Sequence, residues 1–381
     1  MKILQILPSL EMGGVERGTI EMARAMQRAG IPNAVASQGG RLVKALERLG
    51  VPHHQLPLAT KNPFKIRANA SRIARLAEKE GFTLMHVRSR APAWSVHWAS
   101  KMCGVPWIAT YHGVYGTTPR LLKIPYNRVM LKGLRTICVS DYVLRHVLET
   151  YHPSPASLVR IHRGADTDVF RPDAVAPQAA LEKKTLQYHL PADVPVITLP
   201  GRLTRWKGQE IFIDALSRMR HRRLGVLIIG SDQGRVEYSD HIRALASRLP
   251  DETMVVFRDH TSEMQKVYAM SDIVVNASSA QPEAFGRTIP EAQAMGRLVV
   301  ATAHGGACET IDDGRTGWLV PPGDAAALAA KLDEILDLPE ERKEEVRAAA
   351  VQSVRDNFST RKMCEATLAL YRELDAAIPA K

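Results

Sequence analysis

The chain has 381 residues, more than one ordinary hydrophobic core organises, so two domains are expected. Its hydrophobic fraction of 45% is enough for two cores, yet no run approaches the roughly 18 apolar residues that would cross a membrane. The start of the chain lacks a signal-peptide pattern, and four widely spaced cysteines show neither disulfide nor zinc spacing, which together indicate a cytoplasmic protein.

The net charge of +11 belongs to the first half of the chain. Residues 1–170 contain 24 Lys and Arg against 10 Asp and Glu, whereas the remainder contains 27 against 30. A basic field attracts nucleic acid, an anionic membrane surface or a phosphorylated substrate. Nucleic acid is disfavoured, because aromatic residues make up only 6% and no stacking or helix-turn-helix motif is present. The alternative is that the basic charge is only a solvated surface with an excess of arginine and binds no partner.

Short apolar runs alternate with longer amphipathic stretches from one end of the chain to the other. The first half has predicted strands at 3–7, 33–37, 83–87, 107–111, 136–140 and 158–162, with helices at 15–29, 64–80, 91–103 and 141–150. The second half has predicted strands at 196–201, 225–230, 254–257, 272–278 and 298–302. Such alternation of β-branched strands with helices predicts parallel sheets covered on both faces. The fold class is therefore α/β, with two doubly wound, Rossmann-like domains facing a cleft.

The seam between the domains is expected in 162–177, HRGADTDVFRPDAVAP, where Gly and Pro interrupt every periodic pattern. We place the first domain at 1–168 and the second at 169–361, and assign the last helix, about 362–381, to the first domain. Ser359 or Thr360 is available as its N-cap.

A glycine pair follows the first predicted strand. In PSLEMGGVERG, Gly13 and Gly14 place bare backbone where a strand gives way to a helix. Free N–H groups and the positive end of the helix dipole favour an anion there. A plain tight turn would use the same residues. The dinucleotide fingerprint G-x-G-x-x-G is absent, which disfavours a nicotinamide or flavin cofactor.

A cluster of cations follows the first strand of the second half. GRLTRWKG carries Arg202, Arg205 and Lys207 where a strand passes into a helix. Cations at that edge of a parallel sheet are placed to neutralise a diphosphate. A solvated charge cluster is the alternative.

Two carboxylates with seven residues between them occur in PEAFGRTIPEAQAMG. Glu283 is expected in the loop after strand 272–278, and Glu291 in the first turn of a helix that Pro290 begins and Gly296 ends. Carboxylates accept hydrogen bonds from hydroxyl groups, so two facing a cleft suit two polyols, such as a sugar and a ribose. For Glu291 taken alone, stabilisation of the helix dipole is an alternative role.

These stretches together resemble the retaining glycosyltransferases of family 4, which have the GT-B fold. The resemblance spans nearly the whole chain and rests on GGVER, ATYHG, GADTDVFRP, GRLTRWKG, the Glu283 and Glu291 pair, and GGACETIDDGRTGWLVPPGD. It implies that Arg202 and Lys207 bind the diphosphate of the donor and take part in catalysis. It also implies that Glu283 holds hydroxyls of the transferred sugar and that Glu291 holds the ribose.

The same resemblance implies further contacts with the donor. His112, after strand 107–111, would lie beside the donor sugar near the reacting carbon, although a structural His-Gly turn is the alternative. Gly13 and Gly14 would approach the phosphates from the other domain. The donor site would also include Phe285, Gly286 and Arg287, and Arg287 is a candidate for sugar selection because that position varies among relatives.

The resemblance further implies catalysis without an essential metal or other cofactor, since positive side chains take the place of a divalent ion. Asp166 and Asp168 mimic the D-x-D metal motif of another glycosyltransferase fold. Their place in the expected seam favours a turn instead. UDP is the favoured donor nucleotide, and GDP stays open.

The acceptor is expected to be an envelope glycan or a lipid-linked molecule, such as a lipopolysaccharide core. A predicted helix at 119–135 carries Arg120, Lys123, Arg128 and Lys132 among apolar residues, which suits contact with anionic lipid at the inner face of the cytoplasmic membrane. A core-facing helix with solvated lysines is the alternative. Two rival functions remain: a sugar-nucleotide epimerase of similar fold, and a non-enzymatic protein that binds anionic surfaces.

Overall fold

The computed structural model describes residues 1–11, 13–259 and 261–377. The chain forms two compact units, Met1–His162 with Met363–Lys381, and Arg163–Lys362. The boundary therefore lies after His162, at the start of the expected seam 162–177 and six residues before the domain limit that the sequence placed at 168.

The first unit is built on a seven-stranded parallel sheet with the order β3-β2-β1-β4-β5-β6-β7. Its strands are β1 (Ile3–Ile6), β2 (Asn33–Ser37), β3 (His53–Gln55), β4 (Leu84–Val87), β5 (Trp107–Tyr111), β6 (Thr136–Cys138) and β7 (Leu158–Arg160). Its helices are α1 (Gly14–Arg28), α2 (Val43–Arg48), α3 (Pro63–Glu80), α4 (Arg90–Cys103), α5 (Arg120–Asn127) and α6 (Asp141–Tyr151). The central strands are buried throughout, because helices cover both faces of the sheet.

The second unit contains a six-stranded parallel sheet with the order β10-β9-β8-β11-β12-β13. Its strands are β8 (Val196–Pro200), β9 (Leu224–Ile229), β10 (Thr253–Arg258), β11 (Ile273–Asn276), β12 (Leu298–Thr302) and β13 (Trp318–Val320). Its helices are α7 (Pro177–Glu182), α8 (Gln209–Arg218), α9 (Val236–Ala246), α10 (Met264–Ala269), α11 (Thr288–Ala294), α12 (Ala307–Thr310), α13 (Ala325–Asp337) and α14 (Glu340–Asn357). The predicted fold class of two Rossmann-like parallel-sheet domains is confirmed.

The last helix, α15 (Thr360–Ala377), begins with Ser359 as its cap, whose hydroxyl accepts a hydrogen bond from the Lys362 N–H at 3.3 Å. Most of the helix packs in the core of the first unit, where Tyr371 lies fully buried. The Tyr371 hydroxyl and Nδ1 of the buried His86 are 2.5 Å apart, so the helix is tied to the centre of that sheet by a polar contact as well. Residues 378–381 of the predicted helix lie outside the described residues.

The segment after His162 belongs to the second unit because its backbone pairs with the end of α14. The Ala165 N–H donates to the Phe358 carbonyl at 2.8 Å, and the Thr360 N–H donates to the Ala165 carbonyl at 2.7 Å. Just beyond, Asp166 accepts a hydrogen bond from the Asp168 N–H at 3.1 Å, so this pair forms a turn, as the sequence favoured.

The basic helix expected at 119–135 is shorter than predicted. Helix α5 ends at Asn127, and a 3-10 turn, Arg128–Leu131, follows it. Pro125 lies inside α5 and lacks the N–H that a continuing helix needs. No helix among the described residues is both long and apolar enough to cross a membrane.

Candidate functional site

The predicted donor-binding residues of the second unit meet at the carboxyl edge of its sheet. The loop after β8 carries Arg202 and Lys207, and the loop after β11 carries Glu283. Strands β8 and β11 are parallel neighbours, so both loops emerge side by side. The side chains of Lys207 and Glu283 form an ion pair there, and both are largely buried, with 13% and 14% of their surfaces exposed.

One carboxylate oxygen of Glu283 accepts hydrogen bonds from three donors. Besides the Lys207 ammonium, Oε1 accepts hydrogen bonds from Asn276 Nδ2 at 3.0 Å and from the Ser278 hydroxyl at 2.9 Å. Ser278 is itself fixed, because its carbonyl accepts a hydrogen bond from the Thr302 hydroxyl at 2.6 Å. This arrangement holds the carboxylate in one orientation at the end of β11.

The surroundings of Glu283 set its charge. Burial acts to raise the pKa of its carboxyl, but the nearby Lys207 ammonium and the hydrogen bonds from Lys207, Asn276 and Ser278 outweigh burial and bring the pKa below its ordinary value. His304 lies close enough for the Glu283 charge to act on it, yet burial dominates and lowers the pKa of the imidazole. Glu283 is therefore ionised at neutral pH, and His304 is neutral.

Two glycine positions allow these loops to pack closely. Gly208 has φ of 75°, and a Cβ there would lie 1.8 Å from the Ala277 carbonyl oxygen. Gly305 has φ of 63°, and a Cβ there would lie 2.4 Å from the Glu283 carbonyl oxygen. Only glycine fits at these positions, because a side chain would collide with backbone. These glycines therefore allow the loops after β8, β11 and β12 to pack closely around Glu283.

Glu291 occupies a more buried place than predicted. Its carboxylate lies 3.6 Å from Arg287 Nε and accepts a hydrogen bond from the Tyr268 hydroxyl at 3.4 Å. Helix α11 begins at Thr288 rather than at the expected Pro290, since the Ile289 N–H already donates to the Gly286 carbonyl. Gly296, with φ of 63°, lies just beyond the helix end, as predicted. A ribose would have to share Glu291 with Arg287 and Tyr268.

The two predicted phosphate ligands differ in their environment. Lys207 is paired with Glu283, and its ammonium lies 4.5 Å from the centre of the Trp206 ring. Arg202 is exposed, forms no salt bridge with a described residue, and its carbonyl accepts a hydrogen bond from Gln209 Nε2 at 2.9 Å. The backbone of this loop is fixed while the Arg202 guanidinium stays accessible to an anion.

The remaining predicted residues lie in the first unit, at the carboxyl edge of its own sheet. His112 directly follows β5 and is half buried. Gly14 is the first residue of α1. The Glu16 carboxylate lies against this helix start, because a Cβ placed on Gly13 would be 2.5 Å from Glu16 Oε2. A phosphate at this helix end would therefore meet the Glu16 carboxylate, and the roles of Gly13, Gly14 and His112 stay predictions.

A cavity of about 160 Å³ opens at the carboxyl ends of β8, β9 and β10. Leu203, Gly230 and Ser231 contribute to its lining, so it adjoins the loop that carries Arg202. A larger cavity of about 420 Å³ runs along the edge strand β10 and includes none of the predicted site residues. Neither cavity is lined by a predicted site residue, but the smaller one lies next to Arg202 through its neighbour Leu203.

Sequence reasoning missed Asn276, Ser278 and Tyr268, which hold the two glutamates. Asn276 and Ser278 alternate at the carboxyl end of a buried strand, and that is the one signal that could have revealed them. Tyr268 comes from α10, and no local pattern connects it with Glu291. Its contact arises only when the elements pack.

We expect Asn276→Ala and Ser278→Ala each to lower kcat/KM for the donor about three- to tenfold, since each removes one hydrogen bond to a carboxylate. Each change should also raise the pKa of Glu283. As the pH is lowered, each variant should therefore lose activity at a higher pH than the wild type does. A pH profile of kcat/KM tests this. Ser247→Ala, which alters an exposed hydroxyl of the same unit, is the control. Equal loss at every pH would contradict the positioning role.

Residues 12–169 match the family described as Glycosyltransferase Family 4, and residues 182–352 match the family described as Glycosyl transferases group 1. A solved glycosyltransferase from Rickettsia africae is 39% identical and covers 98% of both chains with a TM-score of 0.88. HepE of Anabaena, solved in complex with UDP-glucose, gives a TM-score of 0.83 at 21% identity over 98% of this chain and 100% of that one. The latter likeness concerns the fold alone.

Among curated proteins, the D-inositol 3-phosphate glycosyltransferase of Mycobacterium bovis is 30% identical over 282 residues. The aligned region covers 73% of this chain and 56% of that protein. The chain thus spans about half of the length of the curated relatives it matches.

Proposed function

The chain belongs to the glycosyltransferases of family 4, and from that premise we propose that it transfers a sugar from a nucleotide diphosphate sugar to a hydroxyl group with retention of the anomeric configuration. The observation that carries this proposal is the buried pair of Lys207 and Glu283 at the carboxyl edge of the second sheet. One member suits a phosphate and the other suits sugar hydroxyls.

The donor fits the charges of this site. The Arg202 guanidinium is accessible to a diphosphate, and Lys207 lies next to the carboxylate that would hold the sugar. The cavity beside Leu203 provides space for the nucleoside. UDP is favoured, because a relative of the same fold binds UDP and UDP-glucose, and GDP stays open.

The reaction breaks the bond between the anomeric carbon and the phosphate oxygen and forms a bond to the acceptor oxygen on the same face. The proton of the acceptor hydroxyl passes to the departing diphosphate. Negative charge grows on the phosphate as this bond breaks, so prepositioned cations stabilise the transition state more than the ground state. Arg202 and Lys207 are proposed to supply that charge without a metal ion.

The acceptor is proposed to be a phosphate-bearing or lipid-linked polyol. The basic first half of the chain supports this class, since residues 1–170 contain 24 Lys and Arg against 10 Asp and Glu. The curated relatives are named for an inositol phosphate acceptor, whereas a lipopolysaccharide core was the sequence expectation. Both molecules carry phosphate next to hydroxyl groups.

A donor panel tests the proposal. UDP-, GDP- and ADP-sugars are incubated with wild type, Glu283→Ala and the control Glu237→Gln, which changes an exposed glutamate of the same unit. We expect diphosphate release from one donor, unaffected by EDTA and abolished only in Glu283→Ala. NMR of the product reports the anomeric configuration. An epimerised donor without diphosphate release would favour the epimerase, and strict dependence on a metal would contradict the metal-free mechanism.

A further inference from the structure

The sheet of the second unit ends on a long edge strand, β10. The other outer strands, β3, β7 and β13, have three residues each, whereas β10 has six. All six residues of β10 pair in regular register with β9, and the central residues MVVF include neither a charge nor a proline. Proteins usually shorten, bend or charge an exposed edge, because its unpaired backbone groups bind another strand. The edge of β10 has none of these protections.

The backbone groups of alternate residues in β10 point away from the sheet. The Arg258 carbonyl accepts a hydrogen bond from the Gly230 N–H at 3.0 Å, so the backbone groups of Arg258 point toward β9. Because this direction alternates along a strand, the carbonyls of Thr253, Val255 and Phe257 point toward the open edge, as do the N–H groups of the last two. The cavity of about 420 Å³ lies along this edge, so these groups are accessible to a further strand.

Apolar side chains are exposed at both ends of this edge. Met254, near the start of β10, is 38% exposed. Leu186, in the short π-helical turn Lys183–Gln187, is 74% exposed. That turn lies at the other end of the strand, since Arg258 Nη2 donates to the Gln187 carbonyl at 3.3 Å. Exposed apolar side chains beside an open strand suit burial against another protein surface.

The two ends of β10 have opposite charge. Asp251 and Glu252 are exposed directly before the strand, and Arg258 is exposed at its end. None of these three side chains forms a salt bridge with a described residue. Arg243 of α9 lines the same edge near Arg258, so that end stays basic although Asp259 follows it. A strand with one acidic and one basic end is complementary to a second copy of itself running in the opposite direction.

We infer that two copies of the chain associate through β10, whose strands pair antiparallel about a twofold axis at Val255, so that the two sheets become one. Val255 then exchanges N–H and carbonyl hydrogen bonds with Val255 of the other copy. This register pairs every outward-pointing residue, because Thr253 lies opposite Phe257 of the other copy. It also places Arg258 opposite Glu252 of the other copy, once at each end of the interface.

A second copy suits this edge better than an unrelated extended peptide. The charges that an antiparallel strand would need are those that β10 itself carries, and the reversal also brings the Leu186 end of one copy to the Met254 end of the other. Association of this kind involves only the second unit and requires no substrate. The inference is therefore independent of the proposed function.

Sedimentation velocity with charge-reversed variants tests the pairing and its direction. Wild type should form a dimer. Arg258→Glu and Glu252→Arg should each weaken the dimer at least about tenfold, because like charges then meet at both ends of the interface. An equimolar mixture of the two variants should restore the dimer, because every such contact in the mixed dimer again joins opposite charges. A loss of stability within one chain would not be repaired by mixing.

A change in the backbone of the edge tests the strand pairing itself. Val255→Pro removes an N–H that points away from β9, so it should weaken the dimer at least about tenfold and leave the hydrogen bonds to β9 in place. Circular dichroism should match the wild type. The control is Arg355→Glu, which reverses an exposed arginine of α14, a helix that packs on α11 and β12 rather than on β10. It should dimerise like the wild type.

Three results would overturn the inference. The first is a wild type that stays monomeric at about 100 μM, which would leave the edge without a second copy at any ordinary concentration. The second is a dimer that neither charge-reversed variant nor Val255→Pro weakens, which would place the interface elsewhere. The third is a mixture of Arg258→Glu and Glu252→Arg that stays as weakly associated as either variant alone, which would exclude the antiparallel register.

Discussion

Replacement of Glu283 by glutamine is expected to lower kcat/KM for the donor about 100-fold, while the fold stays intact. Glutamine has the shape of glutamate and can still accept a hydrogen bond from Asn276 or Ser278, but it loses the charge that strengthens hydrogen bonds from sugar hydroxyls. Steady-state kinetics with the donor selected by the panel measure the loss.

The control is Glu237→Gln, on the exposed surface of α9, which should keep wild-type kinetics. Circular dichroism should show the same secondary structure for both variants. A Glu283→Gln enzyme that retains most of its kcat/KM would mean that the carboxylate does not contact the sugar, and the role assigned to this residue would be wrong.

Replacement of Lys207 by alanine is expected to lower kcat about 100- to 1000-fold and to destabilise the protein by about 2 kcal/mol. The first effect arises because a cation is lost where the phosphate develops charge. The second arises because Glu283 is left as a largely buried carboxylate without its counter-ion. Kinetics and urea unfolding measure the two effects separately.

The stability loss in Lys207→Ala should depend on pH. The folded-state pKa of Glu283 lies below the ordinary value of 4.5, so in the wild type its stabilising contribution is present above that value and is lost as pH falls through the folded-state pKa. In the variant, burial is no longer offset by Lys207, so the pKa should rise and protonation should relieve the buried charge. The difference in the free energy of unfolding between wild type and Lys207→Ala should therefore be largest at neutral pH and should decrease on acidification.

Arg202→Ala is the matched comparison, because Arg202 is exposed and forms no salt bridge with a described residue. It should weaken catalysis through the same loss of positive charge, but it should leave the free energy of unfolding unchanged. Equal destabilisation by both changes, or none by either, would contradict the account of the buried pair.

Strong local patterns made most of the fold predictable. Buried β-branched runs gave the positions of the central strands, and Ser359 was correctly expected as a cap for α15. Strands β3 and β13, which have three residues each and lie at the edges of their sheets, were missed. The basic stretch at 119–135 was predicted as one helix, but it consists of α5 followed by a 3-10 turn.

The candidate site was predictable to a lesser extent. Arg202, Lys207 and Glu283 stand at the carboxyl ends of strands, and topology alone brings such positions together. The spacing of residues in the sequence does not predict that Lys207 and Glu283 form an ion pair. It also does not predict that Asn276 and Ser278 donate hydrogen bonds to the same carboxylate oxygen.

The sequence by itself determined the two parallel-sheet domains, their order and the glycosyltransferase family, because these depend on periodicity and on motifs that are read locally. Tertiary structure alone decided that Glu291 is buried against Tyr268, that residues from Arg163 onward join the second unit, and that Tyr371 of α15 contacts His86. Each of these depends on contacts between residues distant in the chain, and the free energy of such contacts is set by packing rather than by local sequence.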